Sequence, residues 1–411
     1  MRKDKRFRKI KRTGAGIALV MAALLSVQGF SHNEKITLGS TICKKENVVK
    51  KEKTYPYKGN WNKLMKVFDD SCGNDRNAML SPLSLNLALG MSGNGASGQT
   101  RKEISGFLGQ EISGFNHYAG QYASNTSALK LANSIWATSQ KGYPVSREFK
   151  QLVRKYYGAE FSKVDFGDGK TVGKINDWIS KHTEKMIPSV LDKTDSSMKM
   201  ILVNALYFGS DWDVPFEKES TSKVSFSSAD GTKKKVDMMH QELYGYFEND
   251  AAIGFEKTYQ GGDYSFVAIL PKKEGDFKLK DLQIKKLLKN KKDASAFIGL
   301  PKFEFSNQTD LTAALAQNGI NEAFDDVNGR FDRLFANGKS MYISNVIQAV
   351  KIRVDELGTE AAAATVIIAK ETCALQPEEP KEIILDRPFA FLIMDNKTGT
   401  PLFVGKVVKL P

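Results

Sequence analysis

Glu356-Leu357-Gly358-Thr359-Glu360-Ala361-Ala362-Ala363-Ala364-Thr365 is a run of small residues between two strand-like segments. Ahead of it Ile343 to Val354 is rich in β-formers, and after it Phe389-Ala390-Phe391-Leu392-Ile393 opens another strand. The connection from Thr365 onward is therefore about two dozen residues long, a length that in a compact chain marks a functional or disordered segment. Side chains alternate between faces in a strand, so Thr359, Ala361, Ala363, Thr365, Ile367 and Ala369 share one face, small or apolar throughout, while Glu360 turns to solvent. Such a face can pass between two strands of a formed sheet without steric conflict, where bulky or charged residues would stop it. The stretch reads as a strand held in reserve.

Ordered blocks along the rest of the chain fit the same picture. They begin with Asn77-Ala78-Met79-Leu80-Ser81-Pro82-Leu83-Ser84-Leu85, then Ala88-Leu89-Gly90-Met91 and Asn94-Gly95-Ala96-Ser97-Gly98-Gln99-Thr100. Leu129 to Trp136, with Ala132-Asn133, follows, and then Ile201-Leu202-Val203-Asn204-Ala205-Leu206-Tyr207-Phe208 running on to Trp212, Phe216 and Thr221. Met238-Met239, Leu300-Pro301-Lys302-Phe303, Arg387-Pro388-Phe389 and Pro401 to Val407 complete the series. Together with the small-residue run, these blocks resemble the serpins over nearly the whole chain. The resemblance implies an α+β fold, with a large central mixed or antiparallel sheet, two further sheets, about eight or nine helices and an exposed reactive-centre loop at about 357–382.

It also implies a function without a catalytic site. The loop is offered to a serine or cysteine protease, an acyl-enzyme forms, and the freed hinge Gly358, Thr359, Glu360, Ala361, Ala362, Ala363, Ala364 and Thr365 inserts as a new strand. The partner is then the target protease in a covalent 1:1 complex, and the inhibitor is a monomer. The native state must be held kinetically, since the inserted form lies below it. By the family pattern Ser81, Ser84 and Asn204 form the polar part of that latch, with Gln348 where the family commonly has histidine. Trp212 matches the tryptophan where insertion begins, and Glu356 with Lys302 the ion pair closing the top. Counting from Glu356 in the family manner places the reactive bond at Thr372-Cys373. The stretch before Pro388 is longer than usual, so Lys370-Glu371 stays open as the alternative, suited to a trypsin-like pocket. The rival within the family is a non-inhibitory carrier or chaperone. Such members carry bulky, charged or proline residues in the hinge.

Other classes fail on the residues themselves. Of the formal net charge of +13, the first twelve residues carry +7, leaving +6 for the remainder. The lysines at 233 to 235 and around 285 to 292 have no interleaved aromatics and read as a solvated face, so no nucleic-acid partner is expected. Gly93-Asn94-Gly95-Ala96-Ser97-Gly98 spells a dinucleotide pattern but follows a helix opened by Ser81-Pro82 instead of a strand. His32, His117, His182 and His240 have no paired-ligand spacing, Ser81 and Ser84 sit in no nucleophile elbow, and neither metal nor cofactor is expected. Three cysteines are too few for a disulfide framework; Cys43 with Cys72 is left open as a pair.

Basic residues from Arg2 to Arg12, the apolar core Thr13 to Val27 and small residues at Gly29 and Ser31 read as a signal peptide over residues 1–31. Residues 32–55 are a polar tether, and 56–411 the folded domain. The expectation is a secreted or periplasmic, cell-surface protein, of bacterial type, without an integral membrane span once the signal is removed.

Overall fold

The structure, a computed structural model, describes residues 54–411 apart from 74, 183–184, 186–187, 190 and 360–378. Among the described residues are eight α-helices: α1 Trp61–Ser71, α2 Pro82–Gly95, α3 Gly98–Leu108, α4 Ile112–Ala119, α5 Arg147–Tyr157, α6 Lys170–His182, α7 Ile284–Leu287 and α8 Thr312–Gln317. The strands are β1 Ala78–Leu80, β2 Leu129–Thr138, β3 Glu160–Val164, β4 Met200–Phe208, β5 Ser210–Asp211, β6 Thr221–Ser227, β7 Lys233–Glu248 and β8 Ala252–Thr258. They continue as β9 Tyr264–Pro271, β10 Lys291–Pro301, β11 Phe303–Asp310, β12 Asn345–Val354, β13 Gly358–Thr359, β14 Lys381–Ile384, β15 Phe389–Asp395 and β16 Thr400–Val407.

The central sheet runs β3-β2-β4-β12, with β11 on the far side of β12 and the short β13 and β5 at one end. It is mixed: β4 is antiparallel to β2 but parallel to β12. The alternation of each strand sends Leu202 and Leu206 of β4, with Val346 and Val350 of β12, into the main core, and Ile201, Val203, Ile347 and Ala349 into a second cluster on the opposite face. There Ile175 and Ile179 of α6 cover them.

The remaining strands follow the path β1-β16-β15-β9-β8-β7-β10-β14, with β6 beside β7. The two further sheets run into each other through β7. Its residues up to Met239 pair β6 and those from Met238 to Phe247 pair β10, while Phe247 and Glu248 pair β8. Gly245, at φ +96°, turns the strand opposite a register shift in β10.

Helix α2 lies at the centre of the main core. Ser81 caps it by accepting from the Ser84 N–H at 3.1 Å, and Pro82 occupies its first turn. All its residues but Asn94 are buried, so it has no solvent face, and its polar Ser84, Asn86 and Ser92 are hydrogen-bonded within the protein. Two of its glycines permit close approach: a Cβ at Gly93, the first of the apparent dinucleotide pattern, would meet Ile112 at 2.6 Å, and one at Gly90 would meet the Phe115 ring at 2.4 Å. Tyr55, assigned to the tether from sequence, is tied to this body by its N–H to Gln121 Oε1 at 2.8 Å and by stacking on His117.

Candidate functional site

Strands β4 and β12 are in register from Ile201 opposite Asn345 to Ala205 opposite Ala349, and their pairing ends there. Past this point β12 continues to Val354 and the chain reverses. The Asp355 carboxylate accepts the N–H of Leu357 at 3.0 Å, and the Asp355 N–H donates to the Gly358 carbonyl at 3.0 Å, closing the turn. Gly358 and Thr359 then enter the sheet as β13, antiparallel both to β12, through Val354, and to β5, through Ser210 and Asp211. Both residues are buried, Thr359 to 1% exposure. The loop expected to be exposed from about 357 therefore starts inside the sheet, and its far end, Lys381 and Glu382, is already β14 on β10. At Gly358 only glycine fits, because a Cβ would lie 2.3 Å from the Ser210 carbonyl oxygen and 2.7 Å from Asp211 Cα. The hinge residues Glu360, Ala361, Ala362, Ala363, Ala364 and Thr365, and the bonds Thr372-Cys373 and Lys370-Glu371, lie outside the described residues. So do the signal peptide, the tether up to residue 53 and Cys43.

The turn is held from outside by the segment after β5. Trp212 is buried, donates its backbone N–H to the Leu357 carbonyl at 2.8 Å and its indole N–H to the Asp355 carbonyl at 3.0 Å, and stacks on Tyr259 at 4.5 Å. Tyr259 in turn shares a 2.6 Å hydrogen bond with the Thr359 hydroxyl. Glu356 pairs with Lys302 at 2.9 Å, accepts from the Thr221 hydroxyl at 3.2 Å and receives the Phe216 N–H on its backbone carbonyl. Burial pushes its carboxyl up, but the hydrogen bond and charge of Lys302 together with Thr221 outweigh this and hold it below the ordinary glutamate value.

Ser81, Ser84, Asn204 and Gln348 come together beneath the paired part of β4 and β12, all buried. Gln348 Oε1 accepts the Ser81 N–H at 2.6 Å, and its Nε2 donates to the Ser81 carbonyl and the Ser84 hydroxyl, each at 3.0 Å. Ser84 Oγ donates to Asn204, while Ser81 Oγ donates to the Leu402 carbonyl at 2.6 Å. Glutamine supplies both donor and acceptor at the position where the family pattern has histidine. Two members were missed from sequence. Asn204 donates to Asn133 of β2, which donates to the Tyr157 carbonyl at 2.9 Å, so the polar row crosses three strands and reaches α5. In β2 Asn133 interrupts the alternate series Leu129, Leu131, Ile135, and that interruption was the available signal. Trp212, Glu356 and Lys302 belong to a separate cluster at the end of the sheet.

Among the described residues no group of three His, Cys, Asp or Glu side chains is placed to hold a metal ion, and no helix is long and apolar enough to cross a membrane. Cys72 is buried.

Residues 62–410 match the family model described as Serpin (serine protease inhibitor). An uncharacterised serpin-like protein of Thermococcus kodakarensis is 32% identical over 361 residues, 83% of each chain. Leukocyte elastase inhibitor A of Mus musculus is 32% identical over 358 residues, 80% of this chain and 92% of that one. Among solved structures the thermophilic serpin tengpin in its native state superposes with a TM-score of 0.77 at 34% identity, covering 85% of this chain and 92% of that one. Its latent state gives 0.71.

Proposed function

The chain belongs to the serpin family, and on that premise we propose that it is a suicide-substrate inhibitor of serine proteases, and of cysteine proteases by the same route. The observation that carries this reading is β13. Two strands that run parallel to each other accept a strand between them that is antiparallel to both, exchanging one parallel ladder for two of the more stable antiparallel kind. Gly358 and Thr359 already occupy that polarity at the mouth of the β4–β12 pair.

The protease nucleophile attacks the carbonyl carbon of Thr372, or of Lys370 for a trypsin-like enzyme, and the bond to Cys373 or Glu371 breaks. The leaving amine takes the proton from the protease's general acid, and the acyl group stays on the enzyme. Freed at that end, the hinge inserts; about fourteen residues at ~3.3 Å each carry the acylated protease about 45 Å. Displacement and distortion stall deacylation. A metalloprotease, which activates water and forms no acyl-enzyme, cuts the loop and leaves. The reactive pair, the latch roles of Ser81, Ser84, Asn204, Gln348, Trp212, Glu356 and Lys302, and export directed by residues 1–31 in a bacterial cell are parts of the same proposal.

The test is to mix the full chain with a trypsin-like, an elastase-like and a papain-like protease, run denaturing gels and weigh the released C-terminal peptide. A gel-stable complex with a serine protease, and a peptide beginning at Cys373 or Glu371, is the expected result. Clean cleavage with no complex and no gain in heat resistance would replace this reading by a carrier or chaperone.

A further inference from the structure

Along β8 and the residue after it, Phe255 and Tyr259 point inward and are fully buried. Between them, at the same register, stands Lys257, only 3% exposed. Among the described residues no carboxylate pairs with it. Its Nζ donates to the Val214 carbonyl at 2.6 Å and to the Gln241 side-chain oxygen, and lies 4.3 Å from the Phe216 ring centre and 5.5 Å from that of Trp212. The amine is thus seated beneath the segment from Trp212 to Phe216, whose upper side holds the hinge turn through Leu357, Asp355 and Glu356.

We propose that Lys257 is a positioning residue for strand insertion, its neutral amine holding the 212–216 segment closed against the hinge and its protonation favouring release. This rests on the inhibitor reading above. Burial pushes the Lys257 ammonium down to about 7, with Asp213 acting the other way. When β4 and β12 part to admit the strand, the 212–216 segment that follows β5 moves with them, and water reaches the amine. An opened state that hydrates the amine binds the proton more tightly, so by linkage protonation favours opening by the same factor. Opening therefore speeds up as pH falls from the ordinary lysine range towards 7, and levels off below it. The other ionisable groups on the elements around it are Asp213, which acts on it electrostatically, and Glu217 on the covering segment, His240 and Glu242 on β7, Glu356 beyond Phe216, and Glu256 on β8, which alternation puts on the opposite face; β9 presents Phe266. His240, the one histidine among them, needs its own control.

The probe is a synthetic peptide of the sequence Thr359–Thr372, annealed to the full chain between pH 5.5 and 9.5 and followed by native gels and heat resistance. Each unit of pKa regained on opening accelerates annealing about tenfold across that range. Lys257→Met keeps the stem but removes both the hold and the proton, so its annealing rate should not change with pH. Lys257→Arg, charged throughout, should anneal fast at every pH, and His240→Gln should keep the wild-type rise. A flat wild-type profile, or a rise that survives in Lys257→Met or in Lys257→Arg, overturns the assignment to Lys257. Absence of annealing at all pH values, with no covalent protease complex, would overturn the inhibitor reading and this one together; annealing with a flat profile overturns this one alone.

Discussion

Replacing Gln348 by leucine should raise the native state more than the transition state for insertion. The side chain makes three hydrogen bonds, to the Ser81 N–H, the Ser81 carbonyl and the Ser84 hydroxyl. Their loss is unequal. The Ser81 carbonyl keeps the Leu85 N–H and Ser84 keeps Asn204, so only the Ser81 N–H is stranded. A stranded buried donor costs ~1–3 kcal/mol, and each of the other two bonds contributes about 1 kcal/mol net. Leucine recovers part of this by apolar burial, which leaves roughly 3 kcal/mol. Bonds already broken when β4 and β12 part can be deleted without raising that transition state, so the whole cost accelerates spontaneous insertion, by about a hundredfold at ~1.4 kcal/mol per decade. The assay is loss of the native band on native gels at fixed temperature, with urea unfolding alongside. Leu89→Ala, on α2 but outside the cluster, should lower urea stability by a similar ~2–5 kcal/mol without that acceleration. An insertion rate within about twofold of wild type, despite the stability loss in Gln348→Leu, would show that the polar cluster stays intact through insertion and would refute its role as a latch.

Three further outcomes are expected. Glu356→Gln should insert faster by up to about fivefold, consistent with a part-exposed pair worth ~1 kcal/mol. Because the Glu356 carboxyl is held below its ordinary value, its contribution is present above the unfolded-state pKa of ~4.3 and fades as pH falls through the native one, so melting curves of wild type and variant should converge once the pH is below that lowered value. Thr359→Glu places a charge where exposure is 1%; it should turn the inhibitor into a substrate, seen as cleaved inhibitor without complex, and retained full trapping would count against insertion. Tyr259→Phe deletes the bond to the Thr359 hydroxyl and keeps the stacking on Trp212, so peptide annealing should quicken about fivefold, for the ~1 kcal/mol of one hydrogen bond.

That the chain re-enters a strand at Gly358 and Thr359 was legible because the signal is local: small residues after a β-rich run are visible without knowing their neighbours. Helix α2 was legible for the same reason, from the Ser81-Pro82 cap and helical spacing. What escaped depends on partners distant in sequence. Asn133 acquires meaning only beside Asn204, and Lys257 looks like one surface lysine among many until Val214 and Trp212 fold over it. The close approach of α4 to Gly90 and Gly93 likewise cannot be read along one helix. The turn at Asp355 withdraws Gly358 and Thr359 from solvent, and no composition signal distinguishes a loop that starts outside a sheet from one that starts two residues within it.

The stub β13 also works as a ruler. Thr359 lies opposite Val354 on one side and Ser210 on the other, so a strand continuing in that register moves one residue back along each neighbour per step. Ala361 would face Ile352 and Phe208, and Ala363 would face Val350 and Leu206, small against large in the apolar core. Six residues past Thr359 the count arrives at Thr365, and its two neighbours are Gln348 and Asn204, themselves partners across the closed ladder. The one hydroxyl in that alternate series past Thr359 would thus arrive between the two amides that the parting strands leave unsatisfied. Latch and key would share a single rung, and a slip of one residue would put Ala364 or Val366, and an apolar side chain, where the hydroxyl belongs.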